Sequence, residues 1–267
     1  MRPFLKWAGG KYRIVQRIRE HLPDGKRLIE PFVGSGAVFL NTDFDEYILS
    51  DINQDLIRVY EILQQDGDSF ISYCKPLFTP ENNAPDRYYE LRTEFNETDD
   101  LWRKSALFIY LNRHGYNGLC RYNSNGKFNV PFGRYKRPYF PEPEMRYFAH
   151  KAQRARFCLA DFRAVMEQAQ PGDVIYCDPP YVPLSKTARF TDYAAGGFGP
   201  QDQADLAQLA AALGNRGIPV LISNHETDFT NQAYAAAKIE RFDVQRMISC
   251  DGANRGSVTE VLALFGT

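Results

Sequence analysis

Long apolar runs are missing from this chain. No uninterrupted hydrophobic stretch approaches the roughly 18 residues of a membrane span, and the opening segment, Met1 to Lys11, has no apolar core of signal-peptide length. A soluble cytoplasmic protein is expected. Cysteine is scarce: Cys74, Cys120, Cys158, Cys177 and Cys250 are odd in number, widely spaced and without a CxxC pair. That pattern argues against both a disulfide framework and a zinc site. Net charge is nearly absent too, at −1, which taken alone speaks against a polyanionic partner. Internal repeats and low-complexity tracts are lacking, and 267 residues suffice for one large domain or a core with a sizeable insertion.

The near-zero charge conceals an asymmetry. Residues 101–141 contain eight Lys/Arg and no Asp or Glu, leaving 24 basic against 33 acidic side chains elsewhere, a net of −9. The same stretch holds ten aromatic residues, from Trp102 through Tyr116 and Tyr122 to Phe140, interleaved with Asn and Gly. Cations for phosphates and rings for bases are what a nucleic-acid-reading surface needs.

Hydrophobic periodicity predicts a first helix on Ile14, Val15, Ile18 and Leu22, stopping at Pro23. A β/α alternation then begins, with a strand over Arg27 to Phe32, a helix starting over Gly36 to Asn41, a strand over Tyr47 to Asp51 and a helix over Asn53 to Gln65. From about residue 68 to 147 the alternation is interrupted by helical patterns at Tyr88 to Phe95 and Leu101 to Asn112, followed by the aromatic segment. It resumes with strands at Arg156 to Leu159, Val174 to Asp178 and Pro219 to Ser223, and a helix over Gln201 to Leu213. Lys238 to Ile248 and Ser257 to Phe265 predict a terminal antiparallel hairpin. The expected fold is α/β: a Rossmann-like, mostly parallel sheet from residues 1–67 and 148–267, with 68–147 as an inserted helical subdomain.

Three motifs carry candidate chemistry. Val174-Ile-Tyr-Cys-Asp-Pro-Pro-Tyr181 reads as a buried parallel strand ending at Asp178, and ligands bind at such ends. The prolines fix a rigid turn, so Asp178 and the carbonyls of Pro179 and Pro180 are expected as outward acceptors beside the Tyr181 ring; an ordinary Pro-Pro turn is the bland alternative. Glu30-Pro-Phe-Val-Gly-Ser-Gly36 is a turn in which Gly34 and Gly36 let backbone approach a ligand, but Phe39 stands where a nicotinamide fingerprint has a third small residue. Asp51 ends the second strand, where a carboxylate can accept two ribose hydroxyls, or else cap the next helix. Lys6-Trp-Ala-Gly-Gly-Lys11 places two cations and a ring before a helix start, which suits a zwitterionic amino-acid tail.

These motifs in this order, with Tyr110-Leu-Asn-Arg-His-Gly-Tyr-Asn-Gly-Leu-Cys-Arg-Tyr-Asn123 and Phe128-Asn-Val-Pro-Phe-Gly-Arg134 between them, resemble the Dam-type DNA adenine methyltransferases over nearly the whole chain. The resemblance implies S-adenosylmethionine-dependent methylation of the exocyclic N6 amine of adenine in GATC sites of double-stranded DNA, with base flipping and no metal. It implies catalytic roles for Asp178, Pro179 and Tyr181, and cofactor contacts from Trp7, Lys11, Phe32, Gly34, Gly36, Asp51 and Asp178. On the DNA side it implies Lys6 and Arg121 as guanine readers, Leu119 and Pro131 against a thymine methyl, Tyr116 inserted in the stack, and Asn117, Asn123 and Arg134 as further DNA contacts. A monomer acting in the cytoplasm on nucleoid DNA is expected, either as a solitary methylase serving mismatch repair and replication or beside a restriction nuclease. An RNA or protein-amide methyltransferase and a catalytically inert DNA-binding regulator are the competing readings. Asp161 is expected to cap a helix, and His225 to line the pocket or serve structure. The loop from Ser249 to Gly256, with Arg255 as its one basic residue, is expected to add little to phosphate binding.

Overall fold

A computed structural model of the protein describes residues 1–182, 197–245 and 257–266. Within them seven strands form one sheet: β1 (Arg27–Glu30), β2 (Glu46–Asp51), β3 (Ala155–Leu159), β4 (Asp173–Cys177), β5 (Val220–His225), β6 (Lys238–Gln245) and β7 (Ser257–Phe265), in the order β3-β2-β1-β4-β5-β7-β6. The first five are mutually parallel, β7 runs antiparallel to β5, and β6 closes the edge antiparallel to β7. The parallel Rossmann-like sheet with a terminal antiparallel pair is therefore present. Its winding reverses between β1 and β4, so the carboxyl ends of those two strands flank the crevice where ligands bind in such sheets.

Strand residues alternate between two cores. Leu28, Tyr47, Leu49, Val174, Tyr176 and Leu221 face one; Ile29, Ile48, Ile175, Cys177, Val220 and Ile222 face the other. Because both faces are covered, the strands read as continuous apolar runs. The first core is closed by α2 (Gln54–Cys74), α3 (Pro85–Glu97), α4 (Leu101–His114) and α5 (Glu142–Lys151). Phe4, Phe39, Tyr60, Phe148 and Phe157 pack there by edge, tilted and stacked contacts, and burying each such side chain contributes roughly 1.5–3 kcal/mol. The second core is closed by α6 (Phe162–Met166), α7 (Pro200–Asn215) and α8 (Asp228–Ala233). A short α1 (Val15–His21) ends before Pro23. At the amino ends of β1 and β4, away from the crevice, Arg27 grips the buried Asp173 with two hydrogen bonds of 2.9 and 2.8 Å.

Two expected helices differ. No α-helix follows β1, because Gly34 and Gly36 both take positive φ (45° and 70°), which breaks a right-handed helix; a single tight turn at Phe39–Asn41 stands there instead. The helix expected to end at Gln65 continues to Cys74 across a kink at Asp66, held by the burial of Phe70, Ile71 and Cys74. The boundary drawn at 67 thus falls one residue past that kink. The loop from Ser249 to Gly256 lies outside the described residues.

Candidate active site

The crevice is built from three chain segments. The turn after β1 folds Gly34 under Trp7, so closely that a Cβ at Gly34 would stand 2.8 Å from the indole nitrogen. The Gly34 amide donates to Asp51 Oδ2 (3.1 Å) and the Asn53 amide to Asp51 Oδ1 (3.0 Å). Asp51 therefore does not cap α2; Asn53 does, accepting from the Leu56 amide at 3.0 Å. Burial pushes the Asp51 carboxyl up, against the pull of those amides. A carboxylate has about four acceptor sites, so these amides do not exhaust it.

Across the switch point, Asp178 follows β4. Its Oδ1 lies 2.8 Å from Lys11 Nζ and accepts from Ser223 Oγ at 3.1 Å. Burial raises the Asp178 pKa, opposed by Lys11 and Ser223. Lys11 is buried, donates also to the Gly9 carbonyl (2.5 Å) and sits 4.4 Å from the Tyr181 ring centre. An ammonium has three donors, so one remains beyond Asp178 and Gly9. The Tyr181 hydroxyl donates to Glu260 Oε2 (3.1 Å), and its ring meets His225 edge-on.

One expectation about the proline turn fails. The Pro180 carbonyl is not an open acceptor, because Gln203 Nε2 donates to it at 2.6 Å. Gln203 belongs to a buried polar set in which Asn224 Nδ2 donates to Gln203 Oε1 and to the Tyr234 hydroxyl, while Asn224 Oδ1 accepts from the Val182 amide. Every member is satisfied, so the set fixes the turn rigidly. Only the Pro179 carbonyl remains for the role expected of both. Asp161 caps α6, accepting from the Arg163 amide at 2.9 Å, and His225 donates from Nδ1 to the Val182 carbonyl at 3.0 Å.

Three features of the site escaped the sequence reading. Ile52 and Leu159 are large apolar side chains left 57% and 53% exposed; Ile52 follows Asp51, and Leu159 is its register partner on β3. An exposed apolar pair beside a carboxylate can cover the faces of a flat ring. Phe32, expected from the sequence as a cofactor contact, stacks on Phe162 at 5.4 Å. Glu30, at the end of β1, is buried with Oε1 unpartnered among the described residues, and burial pushes its pKa up to about 8. Glu260 reaches Tyr181 from β7, more than 75 residues along the chain; no local pattern announces it.

The basic segment begins with α4, and its later part packs on α3. Tyr88 and Arg92 both donate to the Val130 carbonyl, and Asn96 bonds Phe128 through both amide groups. Isolated bridges pair Gly115 with Phe132 and Tyr122 with Phe128. Tyr116 is 51% exposed, and Asn117 and Arg134 take positive φ (53° and 52°) at exposed positions. Arg121 is exposed, donating from Nε to Asn129 Oδ1 at 2.8 Å. Leu119 is partly buried, while Pro131 is open to solvent. Asn123 Oδ1 accepts from the amides of Asn125 and Lys127, so its side chain holds the local turn. Lys6 approaches this segment with Nζ 3.2 Å from the Arg113 carbonyl and 3.7 Å from the Tyr135 ring centre; burial, Arg113 and Arg2 lower its pKa to about 8.

The fold is a Rossmann-like sheet with an acidic Pro-Pro turn at its switch point. Residues 7–248 match the family of D12 class N6 adenine-specific DNA methyltransferases. The chain is 53% identical over 264 residues to the DNA adenine methylase of Escherichia coli K12, covering 99% of this chain and 95% of that one. It is 53% identical over 265 residues to that of Vibrio cholerae (99% and 96%) and 54% over 264 to that of Salmonella typhi (99% and 95%). Among solved structures, TrmN from Thermus thermophilus aligns with TM-score 0.42 and 14% identity, covering 96% of this chain and 48% of that one. The chain belongs to the D12 class and is an adenine-specific DNA methyltransferase. Among the described residues no helix is long and apolar enough to cross a membrane, and no group of three or more His, Cys, Asp or Glu is placed to hold a metal.

Proposed function

We propose that this enzyme takes a methyl group from S-adenosylmethionine and transfers it to the N6 amine of a flipped-out adenine in GATC sites of double-stranded DNA, acting as a monomer on nucleoid DNA in the cytoplasm. The observation that carries the reading is the position of Asp178, at the switch point of the sheet, held by Lys11 and Ser223 and facing a crevice whose other wall ends in Asp51. Residues 68–147 form the target-recognition insert and the flanking halves the catalytic domain.

The crevice suits the cofactor. Asp51 holds the ribose hydroxyls, Ile52, Leu159 and Phe32 cover the adenine, and Trp7 with the glycine turn at Gly34 and Gly36 walls the amino-acid tail, whose carboxylate takes the remaining Lys11 donor. When bound, the cofactor supplies the electrophilic methyl. Everything else falls to the protein. The N6 lone pair of adenine is delocalised into the ring, so Asp178 and the Pro179 carbonyl accept the two amine hydrogens and favour a pyramidal nitrogen. Positioning and preorganised dipoles then dominate the rate. Asp178 also offsets positive charge developing on the amine. A stacked base is out of reach of such a pocket, so the adenine is flipped and stacks on Tyr181 while Tyr116 fills the gap.

Outside the pocket, Lys6 and Arg121 read guanines, Leu119 and Pro131 the thymine methyl, and Asn117, Asn123 and Arg134 hold the backbone. Arg121→Ala is expected to lower discrimination at one base pair by about 1–3 kcal/mol, measured as kcat/KM on duplexes that differ at single pairs. Equal weakening on every duplex makes Arg121 a phosphate contact instead. The reading itself is tested with labelled S-adenosylmethionine and two duplexes differing only in GATC versus GTTC. Transfer confined to the first supports chemistry and target together. Transfer to both retains the adenine methyltransferase and removes the GATC target.

A further inference from the structure

Asn112 stands in the last turn of α4, a poor place for asparagine on helix propensity, and is 2% exposed. Its side chain is fully used on another segment. The Lys6 amide donates to Asn112 Oδ1 at 2.8 Å, and Asn112 Nδ2 donates to the Lys6 carbonyl at 2.7 Å and to the Gly118 carbonyl at 3.4 Å. Lys6 is in no strand or helix, so both its main-chain groups need partners as the chain enters the core at Phe4 and Leu5. Among short side chains only a carboxamide presents a donor and an acceptor side by side, as a neighbouring peptide would.

The same contact is sealed from the other side. Gly118 takes φ 63° directly after the exposed Tyr116-Asn117 pair, and a Cβ there would stand 2.2 Å from the Lys6 Cβ. The Lys6 ammonium is then directed over the end of α4, to the Arg113 carbonyl and the Tyr135 ring. Trp7, the next residue, lies on Gly34 in the cofactor crevice. One buried amide therefore joins the strand of chain that walls the cofactor to the turn that carries Tyr116.

We propose that Asn112 is a positioning residue for sequence recognition: by pairing with the Lys6 backbone and Gly118 it holds the Lys6 ammonium in register with the recognition turn, so that one guanine is read at a fixed distance from the methyl-transfer site. This rests on the GATC reading above. Asn112 touches no substrate, so its loss acts through Lys6.

The test uses the full chain and kcat/KM on three duplexes, each with N6-methyladenine already in one strand so that a single strand accepts: GATC, AATC (its GATT complement methylated) and GATT (its AATC complement methylated). Asn112→Asp keeps the acceptor for the Lys6 amide and removes the donor to the two carbonyls; Gly118→Ala drives Lys6 away from the same contact, and carries the comparison alone where Asn112→Asp does not fold. Each variant is expected to lose at least tenfold in preference for GATC over one of the substituted duplexes while keeping its preference over the other. Lys6→Met is expected to lose the same preference, and the Asn112→Asp/Lys6→Met double variant to lose no more than Lys6→Met alone. Equal loss on all three duplexes, or additive losses in the double variant, overturns the proposal. Failure of the parent enzyme to prefer GATC overturns the GATC reading itself and is seen before any variant is compared.

Discussion

Asp178→Ala is expected to lower single-turnover methyl transfer by about a thousandfold, the upper range for removing one preorganised group from a reacting centre, while binding to a GATC duplex stays measurable by fluorescence anisotropy. Two consequences of the geometry set this size. The substitution deletes the proposed acceptor for the amine, and it leaves Lys11, buried and paired at 2.8 Å, without its carboxylate. Asp178→Asn separates the two: it keeps an acceptor oxygen at the same place and loses the charge, so its rate should fall between those of the parent and the alanine variant. Retention of a tenth of the parent rate by Asp178→Ala removes Asp178 from the proposed chemistry.

Glu30→Gln is expected to stabilise the protein at neutral and alkaline pH. Burial raises the Glu30 pKa from 4.5 to about 8, so between those values the folded state holds a proton that the unfolded chain has released. Stability therefore falls as pH rises through that window and levels off above it. The full span corresponds to about 4–5 kcal/mol. Glutamine keeps the shape and an acceptor for the Phe39 amide without titrating. Thermal unfolding of cofactor-free parent and variant should thus give similar pH slopes below about 4.5 and a gap that widens up to about pH 8. Parallel curves across that range place the ionised carboxylate of Glu30 in a compensated environment.

Much of this was legible in order along the chain. The apolar strand before Asp178 and the glycine turn after β1 are local patterns, each dictated by period, side-chain bulk or backbone freedom. So the sheet, its antiparallel end and the segments that form the crevice were readable. Local reasoning failed where competition was settled elsewhere: a helix was expected after Gly36, but two positive-φ glycines and the burial of Phe39 gave only a turn; α2 outran its expected end because Phe70 and Cys74 had a core to enter.

The sequence by itself determined the strand and helix types, the acidic Pro-Pro turn and the concentration of cations and rings in residues 101–141, because these depend on neighbours a few residues apart. Only the tertiary structure decided that Lys11 pairs with Asp178, that Gln203 closes the Pro180 carbonyl and that Asn112 grips the Lys6 backbone. Those contacts join residues between 23 and 167 positions apart. A hydrogen bond or ion pair depends on position in space, and over such separations only the packing of the sheet between its two cores supplies it.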